Sequence, residues 1–346
     1  MASIYYDGNR LINMLDINKQ KPLIYMVSGN RSAGKTYWCK RFLLRKFIKN
    51  GSKFIILVRF GYQLAGMADT FFGDLKDIDF KGHGMTEKCL VPNSIYALYY
   101  DGVPCGYTVA INNADSVKRN STLFTDCDYM FLDEFQSETG KYCPGEVNKF
   151  ISIYISVARG KGEQARYVAV LMCSNTVSLL NPYYYAMKIS HRIQNDTKFL
   201  RGDRWVLEVT WNESASKQIK EGIGSVFQNQ MVNYATENVY LNDSNTFIEK
   251  PSGPGYNVCV VEYEHEQYGI WAYRDIMYVT HKFDPKCRDK FSIDLDSHNP
   301  GTILLRKSDL IGKTLLRCYE QGVFRFQDLK CKEMLYQFFG FLTGGK

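Results

Sequence analysis

A chain of 346 residues with 45% hydrophobic and 23% charged positions can bury a core in two or three domains, which sets disorder aside. It has no run of about 18 apolar residues, and the opening "MASIYYDGNR" has no basic stretch leading into an apolar core, so neither a membrane span nor a secretory signal is expected. The net charge of +7 permits a polyanionic partner without demanding one.

In chain order, residues 1–20 read as a polar lead-in with a short helix around Arg10 to Leu15. The apolar run at 23–28 predicts a buried strand, and "GNRSAGKT" follows it directly. The spacing Gly29-x-x-x-x-Gly34-Lys35-Thr36 is that of a phosphate-binding loop. Glycines let the backbone of Gly29, Asn30, Arg31, Ser32, Ala33 and Gly34 curl so that its N–H groups face phosphate oxygens. Lys35 then reaches the terminal phosphates of ATP, and the Thr36 hydroxyl is placed to ligate Mg²⁺. Arg31 could touch a phosphate or brace an acidic neighbour of the loop. An amphipathic helix from Tyr37 to about Asn50, ending at Gly51, adds its positive end beneath the anion.

"SKFIILVRF" at 52–60 predicts a second buried strand. Residues 61–128 are mixed, with a hairpin signalled by Asp101-Gly102 and a polar, basic loop at 112–122. The apolar run Tyr129 to Leu132 then ends in Asp133-Glu134, a helix is expected over 145–158, and "YVAVLMCSN" at 167–175 reads as another strand. Unalternating apolar strands are buried on both faces, which with the intervening helices predicts a parallel α/β domain over 1–198. Residues 199–248 turn polar and read as a small linking or lid subdomain. Residues 249–346 form a last unit of alternating strands closed by two helices. Within it, residues 299–346 carry eight Lys/Arg against four Asp/Glu, which suits a phosphate backbone or simply a solvated helical surface.

The chemistry expected of these elements is nucleotide hydrolysis. Active sites of parallel sheets lie at the carboxyl ends of the strands, where Asp133 would hold Mg²⁺ and Glu134 would orient and polarise water. Asn175, ending the next buried strand, suits a sensor of the γ-phosphate. Arg159, in "SVARGKGEQAR", is either an arginine finger in a neighbouring subunit's site or part of a solvated basic loop with Lys161 and Arg166. The ten cysteines are scattered, none in a Cys-x-x-Cys pair, and read as reduced thiols of a cytosolic protein. The five histidines do not cluster with them in sequence, so no zinc site is expected. Glu262, Asp275, Asp294 and Asp296 show no arrangement that would hold the two metal ions of a nuclease, so cutting is not expected. The same site would serve a packaging ATPase, a helicase-like or segregation-type translocase, or a non-catalytic NTP-binding scaffold.

"GNRSAGKT", "FLDEF", the Arg-containing loop, "CSNTVSLLNPYY" and "FIEKPS" resemble the genome-packaging ATPases of small protein-primed podophages, the phi-twenty-nine-like kind, relatives of terminase large subunits. The resemblance implies a P-loop NTPase domain of the ASCE type and a C-terminal α+β domain of ribonuclease-H-like fold that has lost its nuclease role. It implies ring-forming motors, pentameric in the family, that drive double-stranded DNA into a procapsid through its portal, with a structural packaging RNA on that portal. Arg159 matches the trans-acting arginine, and Lys118 falls where the family has a second basic residue near the subunit interface. The expected place of action is the host cytoplasm at the procapsid portal, with no membrane and no place in the mature virion.

Overall fold

The computed structural model describes residues 5–138, 141–160, 164–179, 181–189, 192–193, 197–227, 232, 235–236, 251–306, 308–320 and 323–343. The chain divides into two compact units, Met1–Val177 with Ile193–Leu241, and Ser178–Arg192 with Asn242–Lys346.

The first unit is built in the order α1 (Asn9–Ile12), β1 (Ile24–Gly29), α2 (Lys35–Asn50), β2 (Lys53–Val58), α3 (Met67–Lys76), β3 (Met85–Val91), β4 (Ile95–Tyr100), β5 (Val103–Ala110), α4 (Ala114–Arg119), β6 (Cys127–Asp133), α5 (Glu146–Val157) and β7 (Ala169–Asn175). After α6 (Pro182–Ala186), which clusters with the second unit, come β8 (Phe199–Gly202), β9 (Trp205–Thr210) and α7 (Glu213–Glu221). Nine strands form one sheet in the order β3-β4-β5-β2-β6-β7-β1-β9-β8. From β5 to β9 every neighbouring pair is parallel, and the antiparallel pairs lie at the two edges. β7 lies between the strand leading into the phosphate loop and the strand ending in Asp133, as an ASCE-type sheet requires.

Local sequence explains these elements. β1 and β2 bury every residue after their first, as strands covered on both faces must. α2 stops where Gly51 takes a left-handed conformation (φ 72°) and its N–H bonds the Phe47 carbonyl. Trp38, Leu43 and Leu44 of α2 and Phe71, Phe72 and Leu75 of α3 share one core with Tyr25, Phe54, Phe131 and Leu171 of the sheet.

Three expectations are corrected. Residues 199–210 are not part of a linking subdomain: β9 pairs in parallel with all of β1, from Ile24↔Trp205 to Gly29↔Thr210, and β8 pairs with β9. The strand "WVLEVT" buries its first four residues, which a solvated linker would not do. Residues 178–192, expected in the first domain, cluster with the second unit. The stretch 112–122 also holds the short helix α4 rather than only loop. The rest of the expected linker, from 237 on, and most of "FIEKPS" lie outside the described residues.

The second unit has β10 (Tyr256–Tyr263), β11 (Glu266–Ala272), β12 (Met277–Thr280), β13 (Lys290–Ser292), β14 (Ile303–Leu304), α8 (Leu310–Glu320), β15 (Phe324–Phe326) and α9 (Leu329–Thr343). β10, β11 and β12 make an antiparallel meander; β13 and β14 add in parallel beside β10, and β15 in parallel beside β12. The β10–β11 turn places Glu264 and His265 at φ 49° and 63°, the positive pair that a two-residue hairpin demands. Cys331, Met334, Leu335 and Phe338 bury one stripe of α9 against Cys259, Val261, Ile270 and Val279. All ten cysteines are free thiols. Among the described residues no helix is long and apolar enough to cross a membrane.

Candidate nucleotide site

The carboxyl edge of the parallel sheet gathers the ends of β1, β6 and β7, which are in register at Gly29↔Asn175 and Asp133↔Cys173. Gly29 is required here, because a Cβ on it would stand 2.3 Å from the Thr210 carbonyl oxygen of β9. Past it the loop turns through Ser32 (φ 58°) and Gly34 (φ 91°), and α2 begins at Lys35. The loop is held from outside. Asn30 is fully buried and exchanges two hydrogen bonds with the backbone of Asn212, while Tyr6 N–H donates to the Ala33 carbonyl. The side chain of Asn30 is therefore a brace, and only its backbone is available to a ligand.

Lys35 is 5% exposed, and its ammonium donates to the carbonyls of Gly29 (3.2 Å) and Asn30 (2.6 Å) and to Asn175 Oδ1 (3.3 Å). Burial pushes its pKa down to about 8, against the pull of Cys173 and Asp133. The Thr36 hydroxyl donates to Asp133 Oδ1 at 3.0 Å. The same oxygen accepts from Glu134 N–H at 2.9 Å and the buried Cys173 thiol at 2.9 Å. Three donors thus fix one carboxylate oxygen of Asp133 beside Thr36, which makes the pair a ready oxygen donor set for a hard cation.

Glu134 sits in a left-handed conformation (φ 51°), which costs a residue with a Cβ about 1–2 kcal/mol and is kept only where surrounding structure enforces it. Burial first, then the charges of Asp133 and Glu138, push its carboxyl above the usual carboxylate range, and Arg59 and Arg31 pull it back. Arg31 pairs with Glu138 at 3.2 Å, so it braces the acidic neighbour in this state, and Asn175 Nδ2 donates to the other Glu138 oxygen at 3.0 Å. Lys35, Asn175 and Glu138 thus form one chain of contacts across the site.

Three residues here were not singled out by sequence. Arg59, just past β2, is buried; it bonds both oxygens of Glu146 and the Phe135 carbonyl, pinning the turn that follows Glu134. Gln136 ties Ser28 to the Val177 N–H beneath the loop. Glu138 is the third. The signal available for Arg59 was a lone charge closing an apolar strand at the edge where the site lies; Glu138 had only its place four residues after Glu134.

Arg159 and Lys118 are not brought to this site. Arg166 donates to the carbonyls of Val157, Phe124 and Cys127, which fixes the end of α5 at the start of β6. β6 runs seven residues from there to Asp133, about 20 Å. Arg159 is exposed and makes no hydrogen bond or ion pair with the described residues. Lys118 is exposed in the last turn of α4, which packs on α5, and pairs with Asp115 at 3.4 Å. Lys161 lies outside the described residues.

In the second unit, Glu262 accepts from the amides of Asn299 (2.8 Å) and Gln267 (3.0 Å), and Asp294 caps the Ser297 N–H. Among the described residues none of Glu262, Asp275, Asp294 and Asp296 joins a cluster of metal-ligating groups. One histidine does come beside a cysteine: His281, Asp328 and Cys331 lie within 4.8 Å. Asp328 caps the first turn of α9 through the Cys331 N–H and pairs with His281 at 2.8 Å, which accounts for the grouping.

A parallel sheet with this loop at its carboxyl edge defines a phosphate-loop α/β protein. The chain matches the Podovirus DNA encapsidation protein (Gp16) family over residues 1–343 and belongs to it. It is 25% identical over 335 residues to the DNA packaging protein of Bacillus phage PZA, covering 93% of this chain and 96% of that protein, and equally to that of Bacillus phage phi29. It shares a fold with the subunit in the bacteriophage Phi-29 viral genome packaging motor assembly, at TM-score 0.60 and 20% identity over 98% of this chain and 100% of that one.

Proposed function

We propose that this chain is the ATPase of a viral DNA-packaging motor, hydrolysing ATP to drive double-stranded DNA into a procapsid through its portal. The observation that carries the hydrolytic part is the 3.0 Å approach of Thr36 to Asp133 at the sheet edge, with Lys35 buried beside them and Glu134 next in the chain. Membership of the encapsidation family favours packaging over a helicase-like or segregation role.

In this reading Lys35 exchanges its carbonyl and Asn175 acceptors for β- and γ-phosphate oxygens, and Thr36 and Asp133 would hold Mg²⁺, which would supply neutralisation of phosphate charge. Glu134 orients water and takes its proton, and Asn175, released by Lys35 and still bonded to Glu138, reports the γ-phosphate to the Glu138 side. Arg159 acts in a neighbouring subunit's site, since it stands an entire strand length from its own, and Lys118 supports that contact. The motor is a ring of identical subunits, five by family resemblance, working in the host cytoplasm at the portal with a packaging RNA, and absent from the mature virion. The strand order of the second unit, a meander with two strands added in parallel beside its first, supports a ribonuclease-H-like fold. Amide partners on Glu262 in place of a second carboxylate support the loss of cutting.

Phosphate release with and without double-stranded DNA tests the hydrolytic reading. Lys35→Ala should abolish it, and DNA-stimulated turnover retained in that variant would sink the site.

A further inference from the structure

We infer that the groove between the N-terminal segment and the outer face of α2 seats the sugar–phosphate backbone of double-stranded DNA, held by Arg41, Arg45, Lys46 and Lys49. The inference takes its partner from the packaging reading given above and supplies a surface that reading does not name.

α2 is one-sided in charge. Lys35–Asn50 holds six Lys/Arg and no Asp or Glu. Two of the six are turned inward: Lys35 serves the phosphate site, and Lys40 donates to the Thr70 carbonyl at 2.9 Å. The other four line a groove of about 410 Å³ whose opposite wall includes Tyr6 and Asp7. At about 100° per residue these four share one face, and Arg41, Arg45 and Lys49 climb it in steps of about 6 Å. Asp79 pairs with both Arg41 (3.0 Å) and Arg45 (3.1 Å), so one carboxylate offsets two guanidinium groups. Neither Lys46 nor Lys49 forms an ion pair with the described residues. A helix C-terminus favours a cation in its last turn, which accounts for Lys49 but not for the three cations behind it.

The floor of the groove decides the kind of nucleic acid. Phe42 stacks on Trp38 at 5.2 Å and carries the Lys46 ammonium 5.3 Å above its ring. Trp38 is 8% exposed, and the Tyr6 hydroxyl is tied to Glu208 at 2.7 Å. These rings are already packed, so they serve as an apolar floor rather than as platforms for the unstacked bases of a single strand. What faces outward is a row of cations, which reads the phosphates of a duplex. α2 also begins at Lys35 and Thr36, so duplex and nucleotide would occupy the two ends of one 16-residue helix, about 24 Å long.

The test is fluorescence anisotropy of a labelled DNA duplex with the full chain, titrated over a series of KCl concentrations. Arg45→Ala with Lys46→Ala and Lys49→Ala should weaken binding about tenfold or more, and should lower the slope of log affinity against log salt by about 2–3. DNA stimulation of phosphate release should fall with it. Binding of a fluorescent ADP should be unchanged, which shows that the variant is folded; Lys49→Glu alone, which should lower the slope by about 1, replaces it if ADP binding is lost. Arg45→Lys with Lys46→Arg and Lys49→Arg, which keeps the charges, should bind duplex as the unmutated chain does. The exposed Lys19, Lys76 and Lys286, changed together to Ala, remove the same charge elsewhere and should leave the slope nearly unchanged. Equal loss from that scattered set, or an unchanged slope in the groove variant, overturns the groove and leaves the packaging reading standing. A single strand held more tightly than the duplex through the same residues overturns the duplex as occupant. An unmutated chain that binds no duplex at any salt concentration removes the groove and the packaging reading together.

Discussion

Lys35 carries a conflict that a bound phosphate would resolve. Its ammonium is buried, held by two carbonyls and one amide oxygen, and its pKa is pushed down to about 8. The charged form therefore persists below about pH 8 and is lost above it. Affinity for ADP should fall as pH rises through that value, measured by titrating a fluorescent ADP from pH 6.5 to 9.5. Lys35→Met should abolish nucleotide binding yet stabilise the nucleotide-free fold by about 1 kcal/mol, seen as a raised melting temperature, because a buried charge is replaced by an apolar chain of similar volume. At Glu134 the sign is opposite. Glu134→Gln should bind ATP and leave it unhydrolysed. Glu138→Gln removes a charge that raises the Glu134 pKa, so the acid limb of the rate profile should move to lower pH. Sequence reading found Lys35, Thr36, Asp133 and Glu134 because a loop motif and a strand-terminal acidic pair are local patterns. It could not find Arg59 or Glu138, whose partners Glu146 and Arg31 are distant in sequence and are joined only by the closed sheet.

At the scale of elements, the site depends on β9 as much as on the loop. Gly29 packs against the Thr210 carbonyl, and Asn30 is locked to Asn212 just beyond β9. Gly29→Ala should force β1 and β9 apart and destabilise the fold by about 1–3 kcal/mol, with nucleotide binding weakened, both measurable by thermal melts with and without ADP. Arg59→Met takes the guanidinium away from buried Glu146, which keeps the Cys143 N–H, and should cost about 3–5 kcal/mol, with Glu146→Gln in the same chain recovering part of the loss. The alternation of apolar strands and helices made the core of the sheet legible, from "IYMVSG" to "AVLMCSN". The place of "WVLEVT" beside β1 was hidden because parallel pairing leaves no turn signal between the two strands, and the polar residues around its Asp203-Arg204 hairpin with β8 masked a six-residue strand. The hairpin at Asp101-Gly102 was visible for the converse reason: its turn chemistry lies within the two residues themselves.

For the molecule as a whole, the trans role proposed for Arg159 makes hydrolysis a property of more than one subunit. Hydrolysis per subunit should rise with protein concentration. Mixing Arg159→Ala with Glu134→Gln, each inactive alone, should restore turnover where an intact Glu134 meets an intact Arg159 across an interface; no recovery in mixtures that co-assemble and bind ATP removes the trans role. In the proposed motor, ATP hydrolysis at Lys35, Thr36, Asp133 and Glu134 moves double-stranded DNA into a capsid. Its most direct measurement is nuclease protection of double-stranded DNA incubated with cognate procapsids, ATP, Mg²⁺ and this chain. Protected DNA should accumulate with the unmutated chain and be absent with Lys35→Ala and Glu134→Gln. Equal protection with either variant, or hydrolysis that proceeds with procapsids present and protects no DNA, contradicts the account.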